Sequence, residues 1–243
     1  MAGADATITD NQSFSVSATA ANYSSLEWAT TGDGTFNNAS LLNPVYSPGL
    51  IDIENSTVEL TLSAVPVSPC TGTTNDALTL TILRQQIIQL NNGWNSFSSF
   101  VVPSDPNFEQ VMAPISGNLI VAKSLEKVFW PTYGINTIGN FYPTDGYLVK
   151  LSAASSLPIT GFKSQNKTVQ LKQGWNILPV ISDRNVESEI LLTQLADKLI
   201  IATEIAGTGI IWPETAINTI PFLIPGKAYY VKVNNPCSFT FPD

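Results

Sequence analysis

The chain has 243 residues, 44% of them apolar and only 12% charged, with a net charge of −8 and no histidine. An acidic chain is a poor partner for nucleic acid or an anionic membrane surface. Without histidine, the commonest general base and the commonest transition-metal ligand are both missing, and no apolar run is long enough for a membrane-spanning helix.

Residues 1–84 carry eight acids and one base, Arg84, whereas 85–243 carry eleven acids and ten bases. That step predicts a boundary at about 84–87. The first segment alternates apolar and polar residues. Phe14, Val16 and Ala18 alternate with Ser15, Ser17 and Thr19, Leu26 and Trp28 flank Glu27, and Val58, Leu60, Leu62 and Ala64 alternate with Glu59, Thr61 and Ser63. Leu78, Leu80 and Ile82 continue the pattern. One apolar and one polar face predicts antiparallel sheets over a shared core, with turns at Gly32-Asp33-Gly34, Asn43-Pro44, Ser47-Pro48-Gly49 and Ser68-Pro69. The spacing predicts an Ig-like β-sandwich over 1–84, with Trp28 as the core plug.

The rest of the chain repeats itself with an offset of about 81 residues. Ile88-Gln89-Leu90-Asn91-Asn92-Gly93-Trp94-Asn95 returns as Val169-Gln170-Leu171-Lys172-Gln173-Gly174-Trp175-Asn176. Asn118-Leu119-Ile120-Val121-Ala122 returns as Lys198-Leu199-Ile200-Ile201-Ala202, and Trp130-Pro131 with Ile135-Asn136-Thr137-Ile138 as Trp212-Pro213 with Ile217-Asn218-Thr219-Ile220. Gly146-Tyr147-Leu148-Val149-Lys150 returns as Ala228-Tyr229-Tyr230-Val231-Lys232.

The expectation for 85–243 is therefore a duplicated β-rich unit with one short helix per repeat. Copy A covers about 87–160 and copy B about 161–243, related by a pseudo-twofold, each apolar face needing the other copy. The helices are expected at Asp105–Met112, with Asp105 as N-cap and Pro106 in the first turn, and at about Asn185–Asp197. Residues 152–168, rich in Ser, Ala and Lys, read as the joint between copies.

Paired carboxylates are the catalytic option left by the missing histidines, and glycoside hydrolysis needs two of them. No acid recurs in both copies: Asp145 faces Gly226 or Lys227 in the alignment, and Glu214 faces Thr132. Solvated surface acids are the plainer reading. Asp33 between two glycines suits a turn better than a calcium site. Asn-x-Ser/Thr triplets such as Asn22-Tyr23-Ser24 match the glycosylation pattern at the rate chance predicts for an Asn- and Ser-rich chain. Trp94 and Trp175 are expected in the core. Trp130 and Trp212, each held extended before proline, suit either core packing or a ligand platform. Copy A is the better candidate for a platform, since Gly134 and Gly146 let its loops approach closely. The candidate site is Trp130, Tyr133, Asn136 and Tyr142, with Asp145 at its edge, taking a neutral polysaccharide or another surface protein. No metal or cofactor is expected.

Ala2-Gly3-Ala4-Asp5-Ala6-Thr7-Ile8, Leu26-Glu27-Trp28, Gly32-Asp33-Gly34-Thr35-Phe36, Asn43-Pro44-Val45-Tyr46 and Val58-Glu59-Leu60-Thr61-Leu62 resemble the Ig- or PKD-like repeats of large secreted proteins of Bacteroidetes. The Gly-Trp-Asn, Trp-Pro, Ile-Asn-Thr-Ile and Gly-Tyr-x-Val-Lys units resemble a tandem module found near the C-termini of similar proteins. The resemblance implies type IX secretion, a cell-surface or extracellular location and no catalytic residues. Met1-Ala2-Gly3-Ala4 has no signal-peptide character, so an exported parent would carry its signal elsewhere. The Ig-like repeats resembled here usually have Cys where this chain has Thr9, paired with the position of Cys70. That departure leaves Cys70 free or available to Cys237. The sequence therefore supports a non-catalytic extracellular module serving adhesion, spacing or partner docking, or alternatively a carbohydrate-binding module of a secreted polysaccharide-degrading enzyme.

Overall fold

A computed structural model describes residues 1–242, and the fold is mainly antiparallel β. The chain divides into two compact units, Met1–Gln85 and Gln86–Asp243. No linker marks the division: one strand, Thr74–Leu90, runs through it.

In the first unit, Tyr23–Thr30, Thr57–Pro66 and the start of Thr74–Leu90 form an antiparallel sheet, and Ala6–Thr9 pairs parallel to the last. A second small sheet joins Phe14–Ser15, Val45–Ser47 and Thr35–Phe36. The alternating residues Leu26, Trp28, Val58, Leu60, Leu62, Leu78, Leu80 and Ile82 are all buried in one cluster with Tyr46. This is the Ig-like sandwich that period-2 alternation dictates, and Trp28, 3% exposed, sits in its core.

The sequence reading missed a helix at Leu50–Asn55. It is built by two aspartates that cap each other's segments. Asp33 accepts hydrogen bonds from the Ile51 and Asp52 amides at the helix start. The buried Asp52 carboxylate in turn accepts from the Asp33, Gly34 and Gly49 amides and from the Tyr46 hydroxyl at 2.6 Å. A Cβ on Gly34 would run into Tyr46 and Asp52, which is why the turn reads Gly-Asp-Gly.

In the second unit, each copy holds a five-stranded sheet. Copy A orders it Ile135–Asn136, Val128–Trp130, Leu119–Lys123, Tyr147–Leu151, Gly93–Phe97. Copy B orders the equivalent strands the same way: Ile217–Asn218, Ile210–Trp212, Leu199–Glu204, Ala228–Val233, Gly174–Pro179. Even the bulge is shared, between Leu119 and Val121 in one copy and Leu199 and Ile201 in the other.

The helices are shorter than expected, Phe108–Met112 and Ser188–Leu195. The N-cap of the first is Asn107, whose side chain accepts from the Glu109 amide. Asp105 instead accepts from the Asn107 amide one turn earlier. In copy B the predicted start is taken by a two-residue strand, Val186–Glu187, paired with Phe222–Leu223.

Residues 152–168 are not merely a joint. Ser155–Lys163 is a strand that closes copy A, and Cys237–Thr240 is its counterpart in copy B. Leu157 and Ile159 plug the first core as Phe239 and Phe241 plug the second. The low charge and small residues masked that alternation.

Each copy therefore closes its own apolar core from its own sheet, helix and closing strands. The cluster common to both is small: Leu148, Ile177 and Ala228, with Ile205 and Tyr230 against it. The expectation that each apolar face needs the other copy is corrected on this point.

Candidate functional site

The Gly-Trp-Asn motif is a hairpin device. Gly93 and Gly174 take φ of 86° and 93°, a region that favours glycine. Asn95 then folds its side chain back over the turn: Oδ1 accepts from the Asn91 amide at 2.8 Å, and Nδ2 donates to the Asn91 and Gly93 carbonyls. Asn176 makes the same three bonds to Lys172 and Gly174. The Tyr of Gly-Tyr-x-Val-Lys is buried. Its hydroxyl accepts from the Tyr142 amide in copy A and from the Ile224 amide in copy B. Burial pushes the Tyr229 phenol up to about 12 and raises Tyr147 further still.

The four repeated tryptophans do not fill the core. Trp94 and Trp175 are 42% and 45% exposed, and Trp130 and Trp212 are 38% and 37% exposed. The reason is register. Phe97, Tyr147, Val149, Ala122 and Phe129 take the inner face of the copy A sheet, so the alternate residues face outward. Trp94 pairs with Lys150, Lys150 with Val121, and Trp130 with Ile135. The register continued by one residue sets Val121 opposite Trp130. One row thus crosses the sheet: Trp94, Lys150, Val121, Trp130, Ile135. Copy B carries the matching row Trp175, Lys232, Ile201, Trp212, Ile217.

Of the sequence-predicted site, the structure brings together Trp130 and Tyr133. Their rings meet edge to face at 4.6 Å, with Tyr133 67% exposed on a short helical turn ended by Gly134. Asn136 is a brace: its Oδ1 accepts from the Gly139 amide, as Asn218 accepts from the Ile220 amide. Tyr142 is exposed on a separate turn, where the Asp145 amide donates to its carbonyl. Asp145 lines a cleft against copy B with Lys127, Gln170 and Lys172. Desolvation raises the Asp145 carboxyl, and Lys127 pulls it back.

That cleft is one of a reciprocal pair. The larger, about 580 Å³, lies between the Ile87–Ser96 segment of copy A and the turns of copy B at Glu204–Gly207 and Ile224–Tyr229. The smaller, about 210 Å³, lies between Val169–Ile177 of copy B and Ser124–Lys127 with Thr144–Gly146 of copy A. The same parts meet with the copies exchanged, as in an isologous contact. Lys227 stands where Asp145 stands in the other cleft, and it pairs with Glu204 at 3.6 Å. The sequence reading missed the larger cleft, because its walls come from opposite copies. The alignment of Asp145 with Lys227 was the signal available.

Both cysteines are free thiols, Cys70 exposed and Cys237 partly buried. Burial raises the Cys237 thiol, with Lys198 lowering it. Among the described residues, no group of three His, Cys, Asp or Glu is placed to hold a metal ion. Asp33 spends its carboxylate on helix amides. No helix is long and apolar enough to cross a membrane, which says nothing of membrane β-barrels.

No protein-family model matches the chain, and no curated protein sequence matches it. The solved structures with weak similarity include two protocadherins. One is the cis-dimer structure of protocadherin gammaB7 EC3-6, with a TM-score of 0.26 and 10% identity, covering 70% of this chain and 48% of that one. The other is protocadherin gamma B2 extracellular cadherin domains 3-6, with a TM-score of 0.24 and 11% identity, covering 96% of this chain and 64% of that one. The chain spans less than two thirds of the length of either.

Proposed function

We propose that the chain is a non-catalytic module of a secreted or cell-surface bacterial protein, and that it works by presenting two tryptophan-bearing sheet faces to a partner. The observation that carries this reading is the fate of the repeated residues. Those that need not be buried, Trp94, Lys150, Trp130 and Ile135 with their copy B counterparts, all emerge on one outer row per copy. Large apolar side chains held in a row at the surface are characteristic of binding surfaces. The low charge, the Thr- and Asn-rich surface and the resemblance to type IX secretion cargo support the extracellular placement.

A second reading, a carbohydrate-binding module of a polysaccharide-degrading enzyme, draws on the exposed Trp130–Tyr133 pair. An indole face suits a sugar ring, and polar neighbours fix its orientation.

The test is an array of glycans and extracellular proteins probed with the whole chain and with a Trp94→Ala/Trp130→Ala/Trp175→Ala/Trp212→Ala variant. Binding that the variant loses supports a docking module. Turnover of any arrayed substrate, or binding that ignores all four substitutions, overturns it.

A further inference from the structure

The two outer rows are alike in shape but not in charge. In copy A, the Trp94 ring has Lys123 Nζ 5.7 Å and Lys150 Nζ 5.9 Å from its centroid. Neither lysine is ion-paired among the described residues. Between Trp94 and Trp130 the row offers only Lys150 and Val121, and the residue after Trp130-Pro131 is the neutral Thr132. Copy B has Thr203 in the place of Lys123 and Glu214 in the place of Thr132, and the Tyr230 and Trp175 rings pack T-shaped with centroids 6.0 Å apart. So one face concentrates two unpaired cations on an otherwise acidic chain.

We propose that the copy A face binds an acidic polysaccharide, one whose sugar rings carry carboxylates. This assignment rests on the docking-module reading above and adds a ligand class to it. Strand spacing puts the backbones of Trp94 and Trp130 about 14 Å apart, three strands along the row. That length accommodates a few sugar rings lying across the strands. The two indoles supply stacking faces at the ends, Val121 an apolar floor, and Lys123 and Lys150 the counter-charge for the carboxylates.

At the Trp94 end the row opens into the 580 Å³ cleft, which lines its wall with Gln89, Asn91 and Asn92 and can lead a longer chain onward. An acidic peptide fits less well. Peptides hold to sheets chiefly by main-chain pairing at an edge, whereas this row crosses the middle strands, whose backbone groups are already paired.

The experiment is affinity electrophoresis of the whole chain in gels containing polygalacturonate, its fully methyl-esterified form, or polyglutamate, at low ionic strength. Retardation is expected in polygalacturonate alone, weakening as salt rises from about 50 to about 300 mM. Lys123→Ala/Lys150→Ala and Trp94→Ala are each expected to weaken it about tenfold. Lys123→Gln/Lys150→Gln, which keeps the side-chain stems, separates loss of charge from loss of folding and should weaken binding as the alanine pair does. Equal retardation by the esterified polymer, retention by polyglutamate, or retention indifferent to the lysine pair overturns the assignment. A chain that binds arrayed ligands through its tryptophans but ignores polygalacturonate overturns this assignment alone and leaves the docking module standing.

Discussion

Gly146 and Ala228 hold equivalent places in the two copies, and they lie against each other: a Cβ built on Gly146 would stand 3.1 Å from the Ala228 Cβ. It would come closer still to Ile177, whose side chain and carbonyl crowd the same spot. The copies thus meet at like positions, and one of the pair has to be the smallest residue. Gly146→Val should destabilise the second unit by about 1–3 kcal/mol through overpacking. Ala228→Gly, which only removes a methyl group there, should cost less. Urea unfolding of both variants checks the order, and a Gly146→Val protein as stable as the parent would refute the contact.

Asn95 and Asn176 should matter equally. Each closes its hairpin with three hydrogen bonds to the backbone. Replacement by Ala leaves an amide and two carbonyls to find water, at a cost of about 1–3 kcal/mol. Asn→Asp keeps the acceptor and loses the donor, so its effect should be intermediate. Thermal melts of the four single variants measure this.

The surface tryptophans should be cheap to remove, unlike the buried one. Trp28→Ala opens a core and should cost about 3–5 kcal/mol. Trp94→Ala and Trp175→Ala lose only partly buried area and their lysine contacts, two at Trp94 and one at Trp175, and should cost about 1 kcal/mol each. A loss of several kcal/mol at Trp94 would return it to the core.

Stability should fall in alkali. Burial and the hydrogen bond to Asp52 push the Tyr46 phenol from its ordinary 10.0 up to about 12. The unfolded chain then releases its proton first. The contribution is whole below pH 10 and is lost as the pH rises from about 10 to about 12. Tyr46→Phe should flatten that part of the profile for the first unit, while making it less stable at neutral pH by taking one donor from Asp52. Unfolding midpoints measured across this range decide it.

Two thiols should titrate in the unfolded, non-reduced chain. In the native protein Cys70 should react with a disulfide reagent faster than Cys237. The first is exposed, while the second is partly buried with its thiol raised by desolvation. A single slow phase at both sites would contradict the structure.

Which residues alternate and which segments repeat was legible in the chain before any folding was considered. The alternation at Val58–Ala64 and Leu78–Ile82 dictated a sandwich because apolar side chains two apart must share a face. The repeat of Gly-Trp-Asn dictated two equal hairpins because only glycine readily takes that φ and Asn can brace the turn behind it. What one sequence could not assign is which face each alternating set would turn inward. Trp94 and Tyr147 are both aromatic and both lie in repeated motifs. Only pairing in the folded sheet, with Phe97 beside Tyr147 and Lys150 beside Trp94, sends one into the core and the other to the surface. The Leu50–Asn55 helix and the cleft at Trp94 were hidden for a related reason. Each is fixed by partners far along the chain, and hydrogen bonds and packing between distant segments leave no local period to read.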